Sequence, residues 1–309
     1  MRILIELPTW LGDAVMSTPA IENLVNYYDE SEVILIGSFI SIEALKNHPR
    51  ISNTYVTRKK YTSLYKISKK LGQFDIFFSF RSSFRSKFLK LLISSKKKFQ
   101  FDKNRYQNRH QVEKYNDFIN DNLNTNFHSG RLTVHPSIKL SKKNSKPIVG
   151  INPGASYGNS KRWYPQKFAQ VATELSNKFD ILIFGSVDEK NIATDIEKLL
   201  IENNVSNYQN LAGNINISEL INQISNLDLF ITGDSGPMHL AASFEVPTVA
   251  IFGPTRDDET SQWMNNKAVI VKKNLDCQPC MKRICPLKHH NCMKLIKSVD
   301  VLSAIDSLN

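Results

Sequence analysis

The chain has 309 residues, 41% hydrophobic and 22% charged, and its 40 Lys or Arg against 29 Asp or Glu give a formal net charge of +11. This composition excludes a disordered chain, and the lack of any apolar run long enough to cross a bilayer excludes a membrane-spanning helix. The length predicts two domains with ample core, while the positive charge leaves nucleic acid, an acidic lipid surface and an anionic substrate open as partners.

Residues 3–7 are an apolar run too short for a signal peptide and predict a first buried strand, so the protein is expected in the cytoplasm. Trp10-Leu11-Gly12-Asp13 follows at the strand-to-helix turn, where doubly wound folds place their chemistry; Asp13 as a mere cap is the plainer alternative. A helix runs on to about 27, with a break or kink at Pro19. Strands at 32–37, 54–57 and 75–80 alternate with helices at 42–46 and 61–71, which predicts a parallel sheet covered on both faces. Arg81, Ser83, Arg85 and Lys87 gather where the last of these strands ends. Arg forks pair with oxyanions bidentately, so this set suits phosphate or sugar-acid groups, against the plainer reading of a solvated helix start. Lys96-Lys97-Lys98 and the polar stretch to Gln111 predict a mobile loop able to meet acidic lipid, and a helix follows at 113–122.

Residues 129–145 read as a linker, giving domains at 1–143 and 144–309. The second half repeats the strand–helix rhythm, with strands at 148–152 and 179–185 and helices at 165–178, 189–203 and 218–226. Asn152-Pro153-Gly154 is a glycine-bearing loop after its first strand, and Lys161 and Arg162 beside it are natural ligands for a diphosphate. The stretch 228–255 reads as strand, tight turn, short helix and strand. Asp234 or Ser235 is expected to cap the helix, with Pro237 in its first turn. A helix opening after a parallel strand presents unpaired N–H groups, so Gly236, Pro237, Met238 and His239 predict a phosphate cradle. Taken singly, each residue also fits a cap, a turn or a core edge. Gly233-Asp234-Ser235-Gly236-Pro237 resembles a serine-protease nucleophile segment, but it lacks the second Gly after Ser and lies in a βαβ context, so a hydrolase is rejected. Cys277, Cys280, Cys285 and Cys292 cluster near His289 and His290; zinc is the alternative there, but the spacing lacks two regular Cys-x-x-Cys halves and no metal is expected. An amphipathic helix at about 298–308 closes the chain.

Several of these segments, in this order, resemble one family over nearly the whole chain: the ADP-heptose–lipopolysaccharide heptosyltransferases, inverting glycosyltransferases of family 9. They are Trp10-Leu-Gly-Asp13, Asn152-Pro-Gly-Ala155, Ser160-Lys-Arg-Trp163 with Pro165, and Gly233-Asp-Ser-Gly-Pro-Met-His239. The tail from Cys277 to Cys292 resembles the branch that adds the second heptose more than the first. Two departures are Tyr164 between Trp163 and Pro165, and Ser235 where first-heptose relatives carry Thr. The resemblance implies an α/β GT-B fold, two Rossmann-like domains with parallel sheets facing a central cleft, and a closing helix that packs back on the first domain. It implies Asp13 as catalytic base, with Trp10, Gly12, Arg81, Ser83, Arg85 and Lys87 on the acceptor side. On the donor side it implies Asn152, Gly154, Lys161, Arg162 and the run Asp234 to His239 around ADP-heptose, with Lys161 stabilising the leaving diphosphate. The acceptor would be the first heptose of the Kdo–lipid A core, an anionic glycolipid at the inner leaflet, with transfer of a first heptose as the alternative. A monomer in peripheral contact with the inner face of the inner membrane is expected, needing neither cofactor nor metal. A nucleic-acid binder would need a recognition motif or aromatic-interleaved basic surface, and neither is found beyond Phe80–Phe84; a dinucleotide enzyme would need Gly-x-Gly-x-x-Gly after the first strand, where Pro-Thr-Trp-Leu-Gly-Asp stands.

Overall fold

Ile3, Leu4 and Ile5 are fully buried in β1 (Arg2–Glu6), the middle strand of a five-stranded parallel sheet. The computed structural model describes residues 1–58, 60–138 and 146–308, and the chain divides into units Met1–Ser137 and Ile138–Asn309. The boundary expected at 143–144 lies outside the described residues. In the first unit β1 is followed by α1 (Leu11–Met16), α2 (Thr18–Tyr27), β2 (Glu32–Gly37), α3 (Phe39–Leu45), β3 (Ile51–Val56) and α4 (Tyr61–Leu71). Then come β4 (Gln73–Ser79), α5 (Phe84–Leu92), β5 (Ser94–Gln100) and α6 (Gln111–Leu123). The strand order is β3-β2-β1-β4-β5. The chain therefore steps outward from β1 to one edge, returns beside β1 and steps to the other, which makes the gap between β1 and β4 the topological switch point.

Of the break or kink expected at Pro19, the structure has the break. Pro19 lies in the first turn of α2, where its missing N–H has no partner to lose, and the helix expected to run to 27 is two helices meeting at Ser17. Lys96, Lys97 and Lys98 do not belong to a loop. They lie in β5, which pairs with β4 from Gln73↔Ser94 to Ser79↔Gln100. A Lys run on the outermost strand protects an open sheet edge from pairing with another chain.

The second unit contains β6 (Ile148–Asn152), α7 (Pro165–Leu175), β7 (Asp180–Ile183), α8 (Lys190–Glu202), β8 (Tyr208–Asn210), α9 (Ile217–Ile224) and β9 (Leu229–Gly233). It continues through α10 (Gly236–Ser243), β10 (Thr248–Ile251), α11 (Asp257–Thr260), β11 (Ala268–Val271), α12 (Asn291–Lys294) and α13 (Ser298–Asp306). Its six parallel strands run β11-β10-β9-β6-β7-β8, so the switch point falls between β6 and β9, in register at Asn152↔Thr232. In α7, Phe168, Val171, Ala172 and Leu175 are buried at helical spacing, and Trp163 closes the helix start. The Trp163 indole N–H donates to the Ile296 carbonyl at 3.1 Å, and its ring meets Phe168 edge-on at 4.9 Å. Within its own unit α13 packs onto α7, β10 and β11, through Val301, Ala304 and Ile305.

Candidate functional site

In the second unit the loops leaving β6 and β9 converge at the switch point. Asn152, the last residue of β6, donates to the Ser235 hydroxyl at 3.1 Å and to the Thr232 hydroxyl at 3.3 Å. It also reaches the Gly154 carbonyl at 3.3 Å, which ties the 153–155 loop to the turn after β9. Gly154 leaves room there for Glu189: a Cβ would lie within 2.4 Å of its carboxylate oxygens. Glu189 is itself buried and holds the Ser186 amide at 2.8 Å.

Lys161 ends a 3-10 turn, Asn159–Lys161, and its ammonium is 2.5 Å from Asp234 Oδ2. Both side chains are nearly buried, at 12% and 6% exposure. Thr255 donates to the same Asp234 oxygen at 2.6 Å, and the Lys161 ammonium stands 4.7 Å from the Tyr157 ring centre. Asp234 therefore does not cap α10: its carboxylate holds the Lys161 ammonium. Ser235 occupies the N-cap position, but its hydroxyl is shared with Asn152 and Thr232 (3.1 Å) rather than with the helix amides. Within α10 Pro237 has no N–H, the Met238 amide donates to the Ser235 carbonyl at 3.1 Å, and the Met238 and His239 side chains are buried. The Ser235 and Gly236 amides open this turn at the carboxyl end of β9. Arg162 is 4.0 Å from Glu189, too far for a tight pair.

The tail braces this loop. Tyr157 donates to the Met281 carbonyl at 2.7 Å, Ser160 to the Lys282 carbonyl at 2.5 Å, and His290 Nε2 is 2.9 Å from the Ser160 carbonyl. The four cysteines of the tail are all free. Burial and the neighbouring thiols of Cys280, Cys285 and Cys277 push the Cys292 thiol up to about 11.

In the first unit Asp13 lies in the first turn of α1, directly after Gly12, and Trp10 at its N-cap is 54% exposed. The phenol of buried Tyr115 is raised by burial and then by the charge of Asp13. Arg81 is already engaged on one side: its guanidinium is 3.2 Å from Glu6 Oε1 and reaches the Ser83 hydroxyl at 3.4 Å. Ser83 caps α5, Arg85 donates to the Arg58 carbonyl, and Lys87 is exposed. Glu6 escaped sequence reading because it follows three apolar strand residues and reads as a strand end. It is 1% exposed at the switch point, opposite Ser79 in register, and accepts from Ser79 (2.7 Å) and Ser86. Burial raises the Glu6 carboxyl above its ordinary 4.5, against the lowering by Arg81, Ser86 and Ser79. A carboxyl raised in the folded state stabilises fully below 4.5 and loses that contribution as pH rises through the folded value. Glu6→Gln is therefore expected to gain in stability relative to the unaltered protein as pH rises from 4.5, measured as the difference in urea midpoints across a pH series.

Among the described residues one group of three has metal-ligand atoms within 4.8 Å of one another: Glu22, His48 and His135, in the first unit. The Arg50 amide donates to His48 Nδ1 at 3.1 Å, so the ring proton sits on Nε2, which faces Glu22 at 2.8 Å.

The model of glycosyltransferase family 9 (heptosyltransferase) matches residues 64–291. Lipooligosaccharide heptosyltransferase 2 of Campylobacter jejuni subsp. jejuni serotype O:2 is 42% identical over 315 aligned positions, covering 100% of this chain and 98% of its own. The solved Escherichia coli ADP-heptose lipopolysaccharide heptosyltransferase II superposes with a TM-score of 0.80 at 20% identity, covering 100% of this chain and 98% of its own. The E. coli heptosyltransferase WaaC with ADP superposes with a TM-score of 0.79 at 13% identity over 100% of both chains. These likenesses give the fold as GT-B, with two parallel-sheet α/β domains.

Proposed function

The chain belongs to glycosyltransferase family 9, the heptosyltransferases, and on that premise we propose that it adds the second heptose of a lipooligosaccharide inner core. The donor is ADP-L-glycero-D-manno-heptose and the acceptor the first heptose of the Kdo–lipid A region. The acceptor hydroxyl oxygen forms a bond to the anomeric carbon from the face opposite the diphosphate. The bond from that carbon to the diphosphate oxygen breaks, ADP leaves with the electron pair, and the configuration inverts. Asp13 takes the hydroxyl proton.

The observation that carries this reading is the buried Lys161–Asp234 pair at the carboxyl ends of β6 and β9. Its ammonium keeps donors for a diphosphate oxygen, and the Ser235 and Gly236 amides add neutral ones. Charge growing on the leaving group is thus met by fixed dipoles and a cation, without a metal ion. Asn152 and Gly154 shape the loop, and Arg162 stands at its rim. On the acceptor side Trp10 and Gly12 flank Asp13 in the chain, Arg85 and Lys87 stand in the first turn of α5, and Arg81 offers the donors that Glu6 and Ser83 leave over. No helix of the described residues is long and apolar enough to cross a membrane, and the protein is read as a cytoplasmic monomer in peripheral contact with the membrane that holds its acceptor.

The test is transfer in excess chelator, with ADP-heptose and either mono-heptosylated or bare Kdo–lipid A, following product mass and released ADP. Product from the heptosylated acceptor alone is expected. Product from the bare acceptor alone would make the chain a first-heptose enzyme, and transfer that requires an added metal ion would overturn the metal-free mechanism.

A further inference from the structure

Between Arg58 and Lys98 the chain carries thirteen Lys or Arg and a single acid, Asp75. That acid is already engaged, by Lys96 at 2.7 Å and by the Arg2 amide at 2.9 Å. The segment builds α4 and α5, which pack on each other and leave an outer face that the transfer chemistry does not use.

That face is apolar as well as basic. In α5, Phe84 and Leu91 are seven residues apart, two helical turns, and are 78% and 77% exposed. In α4, Tyr61 and Tyr65 are one turn apart and are 46% and 53% exposed. The two stripes are joined, because the Tyr61 ring meets Phe88 edge-on at 5.3 Å, and Phe88 lies one turn from both Phe84 and Leu91. Lys66, Lys69 and Lys70 are exposed along α4, and the Lys69 ammonium stands 5.5 Å from the Tyr65 ring centre. Leu64, Ser68, Leu71, Ser86 and Leu89 point the other way, into the unit.

We propose that this face of α4 and α5 docks the protein on an anionic lipid bilayer. Tyr, Phe and Leu side chains gain by entering the headgroup and acyl boundary, and Lys side chains around them reach lipid phosphates from apolar stems. Helices of eleven and nine residues are too short to cross, so they lie in the interface plane. Nucleic acid would use the cations but not Phe84 and Leu91 standing out together, whereas a bilayer surface uses both. The proposal names the surface for the membrane contact of the transferase reading and rests on that reading only for the glycolipid that brings the protein there.

The experiment is flotation of the full chain with vesicles of phosphatidylglycerol and phosphatidylethanolamine, and with vesicles of phosphatidylcholine alone. Binding to the anionic vesicles, weakened by salt and absent on phosphatidylcholine, is expected. Lys66→Glu/Lys69→Glu/Lys70→Glu is expected to lower affinity at least about tenfold, since each Lys near such a surface contributes roughly fivefold. Tyr65→Ser/Leu91→Ser is expected to lower it several-fold, with circular dichroism unchanged in both variants. Equal binding to both vesicle types, or variants that float like the unaltered protein, would overturn the proposal. So would a Tyr65→Ser/Leu91→Ser variant of full affinity whose binding heparin abolishes, because the face would then be a plain cation patch. Transfer to detergent-dispersed acceptor is expected to stay unchanged in both variants. Vesicle binding without any transfer by the unaltered protein would remove the transferase reading and leave the docking face standing.

Discussion

Lys161→Ala is expected to lower turnover roughly 10²–10³-fold, the usual loss when one donor to a developing oxyanion is removed. The same change leaves the Asp234 carboxylate buried beside Thr255 without its cation, and stability should fall by about 3–5 kcal/mol. The two effects separate in the double variant Lys161→Met/Asp234→Asn, which removes both charges and keeps the volume. Its urea midpoint should recover most of the loss while its turnover stays low. Single-turnover kinetics beside denaturation read both quantities, and a double variant that regained turnover would reduce Lys161 to a structural residue. Asp234→Asn alone should lower turnover as well, because the amide leaves the ammonium without the carboxylate that fixes it.

Asp13→Asn is expected to cost turnover 10²–10⁴-fold, the range of a lost general base, while ADP affinity stays within about twofold. Asp13 is in the first unit and the nucleotide determinants in the second, so an effect confined to the chemical step is the signature of the role proposed for it. A carboxylate in the first turn of a helix is stabilised as the anion, which keeps it ready to take a proton but tempers its basicity. The amide variant keeps the size and shape of the side chain, so packing changes little. Calorimetric titration with ADP, run with initial-rate kinetics, decides the matter: equal losses in binding and rate would sink the base assignment.

How far the sequence reached depended on what each residue type announces. Buried parallel strands announce themselves, and β1, β2, β6 and β9 stand where apolar runs placed them. β5 did not, because Ser-Ser-Lys-Lys-Lys-Phe-Gln has the composition of a loop and becomes a strand only through its neighbour β4. Asp13, Asn152, Lys161 and Asp234 stood out as chemistry-bearing residues at strand ends. Their partners were another matter. That Asp234 holds Lys161, seventy-three residues away, is a tertiary fact that no local pattern encodes. Glu6 shows the converse: one acid at the end of an apolar strand is unremarkable until Arg81, Ser79 and Ser86 close around it.

The contacts between the tail and the loop carrying Lys161 bear on how such chains can diverge. Ser160 and Lys282 are 122 residues apart, yet their bond, with those of Tyr157 to Met281 and His290 to Ser160, makes the two segments one mechanical part. A Cβ at Gly158 would lie 2.6 Å from the Arg283 carbonyl, so the fit leaves no slack. Drift in either segment must be answered in the other. A chimera built from two relatives would inherit a working donor loop only when 153–163 and 277–292 come from the same parent.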